Sequence, residues 1–354
     1  MIRSALLLAL VPATFLLAAD PLPLPAAARR AADQPIKVGI IGLDNYQAVA
    51  FTQLFHDPKA GDDLKGLKVV AAFPAGSSDI EESTRELPKW EDQIKKFGVG
   101  IVKSPDEVIK QSDAILLMSV DGRAHLEQLK PILQAGKPVY VGRPLAASLA
   151  DAVEIFRLAA EHKTPIFSCS QHRFSPGFIG MRKHAEVGEV QGADVYGGCP
   201  REPHHPDLFW HGVHGVETLY TIMGPGCVSV TRASTDLAEL VTGEWKDGRV
   251  GTYRGIRKGA VKYSATVFGT KGVSTAGIYG HGVPIKGVVP TNDKYMGYEG
   301  VATEIAKFFK TRTPPVSAEE TIELFAFMEA AEESKRQKGA PVKIADVLVK
   351  ARKK

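Results

Sequence analysis

The chain has 354 residues and carries 44 Lys and Arg against 40 Asp and Glu, a formal charge of +4. A hydrophobic share of 44% and a charged share of 24% exclude a collagen, a disordered tail and a multi-pass membrane protein. So small a charge excess, with no basic run before Lys350–Lys354, gives no footing for nucleic acid. Three cysteines, Cys169, Cys199 and Cys227, are too few for a disulfide scaffold. They are read as small core residues, with one pair plus a free thiol left open.

The first segment reads as an address. Arg3 precedes an apolar run from Ala5 to Ala19 that ends in small residues before Asp20, the pattern of a secretory signal peptide over residues 1–19. The run is short for a spanning helix. Residues 20–35 are rich in Pro and Ala and read as a linker. The protein is expected to be exported, periplasmic or extracellular, with no membrane contact beyond that peptide.

Strands and helices then alternate. Ile36–Gly42 is a β-branched run ending in glycine. A helix is expected over about 47–56, a second strand over 67–73 and a short third over 98–102. Ser104-Pro105-Asp106-Glu107 is an N-cap, a first-turn proline and two acids. A strand over 114–118, a helix over 124–134, a strand over 138–141, a helix over 149–162 and a strand over 165–169 follow. Such alternation implies a Rossmann-like parallel sheet covered on both faces, with ligands at the carboxyl ends of its strands. Past residue 186 the pattern becomes strands over 190–196, 227–233, 250–256, 261–268 and 272–278, then helices over 300–310 and 318–335. That is an α+β domain with a largely antiparallel open sheet. The domain boundaries are placed at 36–145 and 146–354.

The loop after the first strand departs from a dinucleotide fingerprint. G-x-G-x-x-G uses its glycines for the turn, for approach to the pyrophosphate and for helix packing. The corresponding window is Gly42-Leu43-Asp44-Asn45-Tyr46-Gln47, with only Gly42 in place and a carboxylate where the diphosphate lies. The end of the second strand offers Ser77 and Ser78 but no acid for a ribose hydroxyl.

Several motifs together resemble the Gfo/Idh/MocA family of sugar and polyol oxidoreductases, over nearly the whole chain after residue 35. Ala135-Gly136-Lys137-Pro138-Val139-Tyr140-Val141-Gly142-Arg143-Pro144-Leu145-Ala146 is similar to the family's "aGKhVxxEKPla" segment. His125 falls on its common histidine, and Arg173-Phe174-Ser175-Pro176 on its arginine–aromatic turn. His211-Gly212-Val213-His214-Gly215-Val216-Glu217 resembles its "D-x-G-x-H-x-x-D" helix, with Trp210 at the first acid. Gly42-Leu43-Asp44 and Asp194–Gly198 resemble a secreted branch.

The resemblance implies NAD or NADP held by Gly42, Asp44, Asn45, Ser77, His125 and Pro144. It implies a small carbohydrate or polyol contacted by Arg173, Trp210, His211 and Glu217, and packing against a second copy of the chain. His214 is the expected proton-transfer residue, because imidazole titrates near neutrality. Arg143 replaces the family's lysine, and a guanidinium orients oxygens but does not shuttle protons. Cys199, His204, His205, His211, His214 and Glu217 crowd together without metal-site spacing, and no metal is expected. Two functions remain: hydride transfer between a nicotinamide cofactor and a polyol, or an exported ligand-binding protein on the same fold with catalysis lost.

Overall fold

The computed structural model describes residues 34–277 and 297–353. The expected signal peptide and all but the end of the linker lie outside the described residues. The first sheet holds β1 (Ile36–Ile41), β2 (Leu67–Phe73), β3 (Gly100–Ile101), β4 (Ala114–Leu117), β5 (Val139–Val141) and β6 (Ile166–Ser168). Its order is β3-β2-β1-β4-β5-β6, and every pairing is parallel. The last four residues of β1 and all of β4 are buried, as a sheet covered on both faces requires.

The covering helices are α1 (Tyr46–His56), α2 (Glu81–Lys96), α3 (Pro105–Gln111), α4 (His125–Gln134) and α5 (Leu149–Glu161). The side chain of Ser104 caps α3 and that of Ser148 caps α5, each by accepting a backbone N–H inside the first turn. Helix α2 was not anticipated. Its buried residues are Ser83 and Ile94, and Pro88 lies inside it, so it shows no continuous apolar stripe.

The boundary expected at residue 145 is corrected: β6 completes the first sheet, which therefore extends to residue 168. After β6 come a 3₁₀ turn (Gln171–Phe174) and a single helical turn, α6 (Pro176–Ile179). The second sheet contains β7 (Val190–Gly198), β8 (Cys227–Ser234), β9 (Ala238–Trp245), β10 (Val250–Ile256), β11 (Ser264–Gly269), β12 (Val273–Gly277) and β13 (Val342–Lys343). The order is β12-β11-β7-β10-β9-β8-β13, antiparallel except for β7 with β10.

One face of this sheet is covered by α7 (Gly212–Met223), buried along its whole length, and α9 (Ala318–Arg336). A Cβ on Gly215 would stand 1.9 Å from a Tyr253 ring carbon, so glycine lets α7 lie against β10. Helix α8 (Glu299–Thr311) returns to the first sheet, where Phe308 meets Phe167 of β6 at 4.9 Å between ring centres. The chain ends in α10 (Ile344–Ala351). Cys169, Cys199 and Cys227 are all buried free thiols.

Candidate functional site

The order of the first sheet reverses direction between β1 and β4, and ligands of such sheets lie beyond the strand ends there. Gly42 closes β1 with φ +98°, and a Cβ on it would fall 2.1 Å from the Ser119 nitrogen. The approach of the backbone after β4 thus requires this glycine, independently of any phosphate. Asp44 is fully buried and reaches across the crevice, accepting hydrogen bonds from Ser83 Oγ at 2.7 Å and the Val120 nitrogen at 2.9 Å. Burial pushes its carboxyl up to about 6 in spite of both bonds. Asn45 caps α1 by accepting from the Gln47 nitrogen at 2.9 Å and donates through Nδ2 to the Met118 carbonyl.

A segment of the second domain closes over this floor. Trp210, 3% exposed, packs with Ile80 after β2 and Val120 after β4. His205 stacks on Trp210 at 4.8 Å, with Nε2 3.2 Å from Asp121 and Nδ1 2.6 Å from Glu202. Asp121 also accepts from Ser77 Oγ at 2.6 Å and from Arg123, which in turn clasps Asp79. Burial alone would raise Asp121, but His205, Arg123 and Ser77 hold its carboxyl far below the usual carboxylate range.

These residues do not fit a dinucleotide while that segment is seated. A diphosphate would meet the Asp44 carboxylate. An adenosine, whose ribose is read from the end of the second strand, would need the space filled by Trp210.

A second cluster of polar side chains gathers at the end of β5. Arg143 follows β5, and its Nε and Nη1 are buried without a hydrogen-bond partner among the described residues. His211 and His214 at the start of α7, His172 from the 3₁₀ turn and Glu82 from α2 gather around its charge. His211 Nε2 lies 3.3 Å from Glu82, and the rings of His172 and His214 are 5.0 Å apart. Tyr263 stands edge-on to His172 at 4.6 Å.

Burial, and after it the Arg143 charge, pushes His211 down and His214 well down. Burial also pushes His172 down to about 3. Burial raises Glu82, but the bond from His211 and the charges of His211 and Arg143 leave it below its ordinary value. The pocket therefore presents one guanidinium, the Glu82 carboxylate bonded to His211, and the imidazoles of His172 and His214, whose charged forms burial opposes. Ser170 Oγ stands 2.6 Å from His214 Nδ1, and Nε2 has no hydrogen bond among the described residues. Such a set can grip an anionic or hydroxyl oxygen and hold it against an imidazole.

The structure brings together His214, Arg143 and His211, and it separates other expected site residues. His125 is a buried tie, with Nδ1 3.1 Å from the Leu145 carbonyl and Nε2 2.8 Å from that of Ser119, so it is corrected from a cofactor ligand to a brace. Arg173 and Glu217 are corrected likewise. Arg173 Nε donates to Glu217 at 2.5 Å, Arg173 also pairs with Glu320 of α9, and all of this is internal. Trp210 is a wedge in the crevice rather than a stacking face for a sugar. Asn45 and Ser77 spend their polar atoms within the protein, as Asp44 does. Pro144 is buried, and a Cβ on Gly122 would lie 2.9 Å from its ring. Glu82 was missed because the helix that carries it was missed. The acids at Glu81 and Glu82, a favoured first-turn composition, were the available signal.

The two sheets define a Rossmann-type scaffold with an added α+β domain. Residues 36–169 match the family model GFO_IDH_MocA, described as an oxidoreductase family with an NAD-binding Rossmann fold. This part of the chain is similar to the Gfo/Idh/MocA oxidoreductases. The oxidoreductase YhhX of Escherichia coli is 31% identical over 86 residues, 24% of this chain and 25% of its own length. Myo-inositol dehydrogenase Hyg17 of Streptomyces leeuwenhoekii is 27% identical over 90 residues, 25% of this chain and 28% of its own. The chain thus spans about a quarter of the length of the curated relatives it matches. Scyllo-inositol dehydrogenase of Lactobacillus casei, solved with NAD(H) and scyllo-inositol, superposes with a TM-score of 0.67. That likeness covers 88% of this chain and 100% of the other at 16% identity, and it establishes the shared fold.

Proposed function

We propose that the chain is an oxidoreductase acting on a small carbohydrate or polyol held in the cleft between Arg143 and His214. We propose further that it uses a nicotinamide dinucleotide in a form from which the Trp210 segment has withdrawn. The observation that carries the reading is the guanidinium with unpartnered buried donors beside the open Nε2 of His214. Polyol dehydrogenases among the relatives and the family of residues 36–169 support the reaction class.

The roles follow from the groups present. Arg143 donates hydrogen bonds to substrate oxygen and stabilises negative charge developing there. His214 offers Nε2 to a substrate hydroxyl, while Ser170 holds its other nitrogen and thereby its ring orientation. His211, bonded to Glu82, narrows the entrance on the first-domain side. Burial, and after it the Arg143 charge, pushes His214 well below its ordinary value, which favours the neutral ring as proton acceptor. Export and the secreted branch are retained as part of this proposal, on the strength of residues 1–19 and the Gly42-Leu43-Asp44 loop.

The test is incubation of the purified protein and its Trp210→Ala variant with NAD+ and a panel of inositols, sugars and sugar acids, followed by absorbance of reduced nicotinamide. Turnover that is lost in His214→Ala supports the reading. No reduction with either protein over the whole panel refutes it.

A further inference from the structure

We infer that Arg143 is the anchor for a substrate carboxylate, so that the cleft selects a sugar acid over the corresponding neutral sugar. The inference deepens the proposed function and rests on its placing of substrate between Arg143 and His214. Among the described residues, three arginines have buried nitrogens without a hydrogen-bond partner: Arg143, Arg173 and Arg257. Arg173 is nonetheless paired with Glu217 and Glu320, and Arg257 with Asp207 and Glu239. Arg143 has no such pair among the described residues. Its nearest acid in the site, Glu82, is bonded to His211 instead.

Glu82 is the one carboxylate described beside Arg143, and its side chain is hydrogen-bonded to His211 rather than to the guanidinium. His172, His211 and His214 are neutral at most, and protonating any of them would add a like charge. Buried guanidinium donors without a hydrogen-bonded carboxylate are costly, and a carboxylate's planar geometry matches their fork. The cost is removed when the ligand brings that charge. A neutral polyol would leave the guanidinium unpaired, so the pocket discriminates by what the neutral compound fails to satisfy. With the carboxylate on Arg143, a hydroxyl elsewhere on the same small molecule is left for His214 Nε2.

Isothermal titration with D-glucuronate, D-glucose, D-galacturonate, D-galactose and glucose 6-phosphate tests this without cofactor or turnover. The wild-type protein is expected to bind each uronate at least tenfold more tightly than its neutral sugar. Arg143→Met should bring the ratio to within about twofold, and Arg143→Lys should keep part of it, because an ammonium holds the charge without the fork. Circular dichroism and thermal melting establish that both variants are folded. If Arg143→Met does not fold, Arg143→Lys and Arg143→Gln carry the comparison.

A wild-type ratio near one, no binding of either acid, a ratio that survives in folded Arg143→Met, or a preference for the phosphate over both uronates would overturn the inference. Uronate binding with no reduction of NAD+ would uphold the carboxylate anchor and sink the dehydrogenase reading. Turnover of neutral sugars alone would do the reverse.

Discussion

Replacing Trp210 by alanine should open the dinucleotide crevice. The indole is 3% exposed and packed on Ile80 and Val120, and these contacts exist only while the segment that carries it is seated. Truncating a buried tryptophan to alanine removes about 3–5 kcal/mol of packing. The polar contacts of the same segment, His205 with Asp121 and His204 with Asp79, are present in both proteins and cancel in the comparison. A ligand that needs the unseated form binds more weakly by the fraction of protein in that form. Taking the low end, ~3 kcal/mol of lost closure corresponds to about two decades in apparent affinity, since 1.4 kcal/mol is one decade. NADH should therefore bind Trp210→Ala about 10- to 100-fold more tightly than the wild-type protein, the smaller figure applying if Ile80 and Val120 close over the gap. Trp210→Phe should fall between them. Titration by reduced-nicotinamide fluorescence at pH 7 measures it, with circular dichroism to show that the variant is folded. Equal NADH affinity in folded Trp210→Ala and wild-type protein would refute the reasoning that Trp210 competes for the crevice.

Asp44 gives a pH signature. Its folded value of about 6 lies above the ordinary 3.8, so the ionised form is penalised by the fold, and stability falls as pH rises through the interval between those values. The gap corresponds to ~3 kcal/mol, so Asp44→Asn should gain about that much on wild-type protein between pH 4 and pH 8 in urea unfolding. The same ionisation sets a carboxylate against a diphosphate, so NADH binding should strengthen as pH falls below about 6, an effect absent in Asp44→Asn. Glu217→Gln leaves Arg173 buried with half its compensation and should cost about 3–5 kcal/mol, measured by denaturant midpoint. Gly215→Ala drives a methyl into the Tyr253 ring and should cost about 1–3 kcal/mol or prevent folding, read from the melting temperature.

Much of the fold was legible because it rests on local periodicity. The β-branched runs at Ile36–Ile41 and Ala114–Leu117 announce buried parallel strands, and the Ser104-Pro105 cap announces a helix start. The helix Glu81–Lys96 was illegible for the complementary reason: it buries little and contains a proline, so its place is set by the strands beside it. The strand Ala238–Trp245 mixes Glu, Thr and Gly with its apolar residues and shows no apolar alternation, and pairing with both neighbours makes it a strand.

The amino-acid sequence by itself determined the order of a parallel sheet followed by a largely antiparallel one, the single glycine at 42, the arginine at 143 and the histidine pair at 211 and 214. Those are matters of residue type and spacing, which no folding is needed to count. Only the tertiary structure decided what each group faces. It tied off His125 between two carbonyls, paired Arg173 with Glu217, set Trp210 into the crevice and left two buried donors of Arg143 without a hydrogen bond among the described residues. Charge compensation and burial depend on neighbours that are 40 to 130 residues away along the chain, as Arg173–Glu217 and His211–Glu82 are, and a motif carries no record of them.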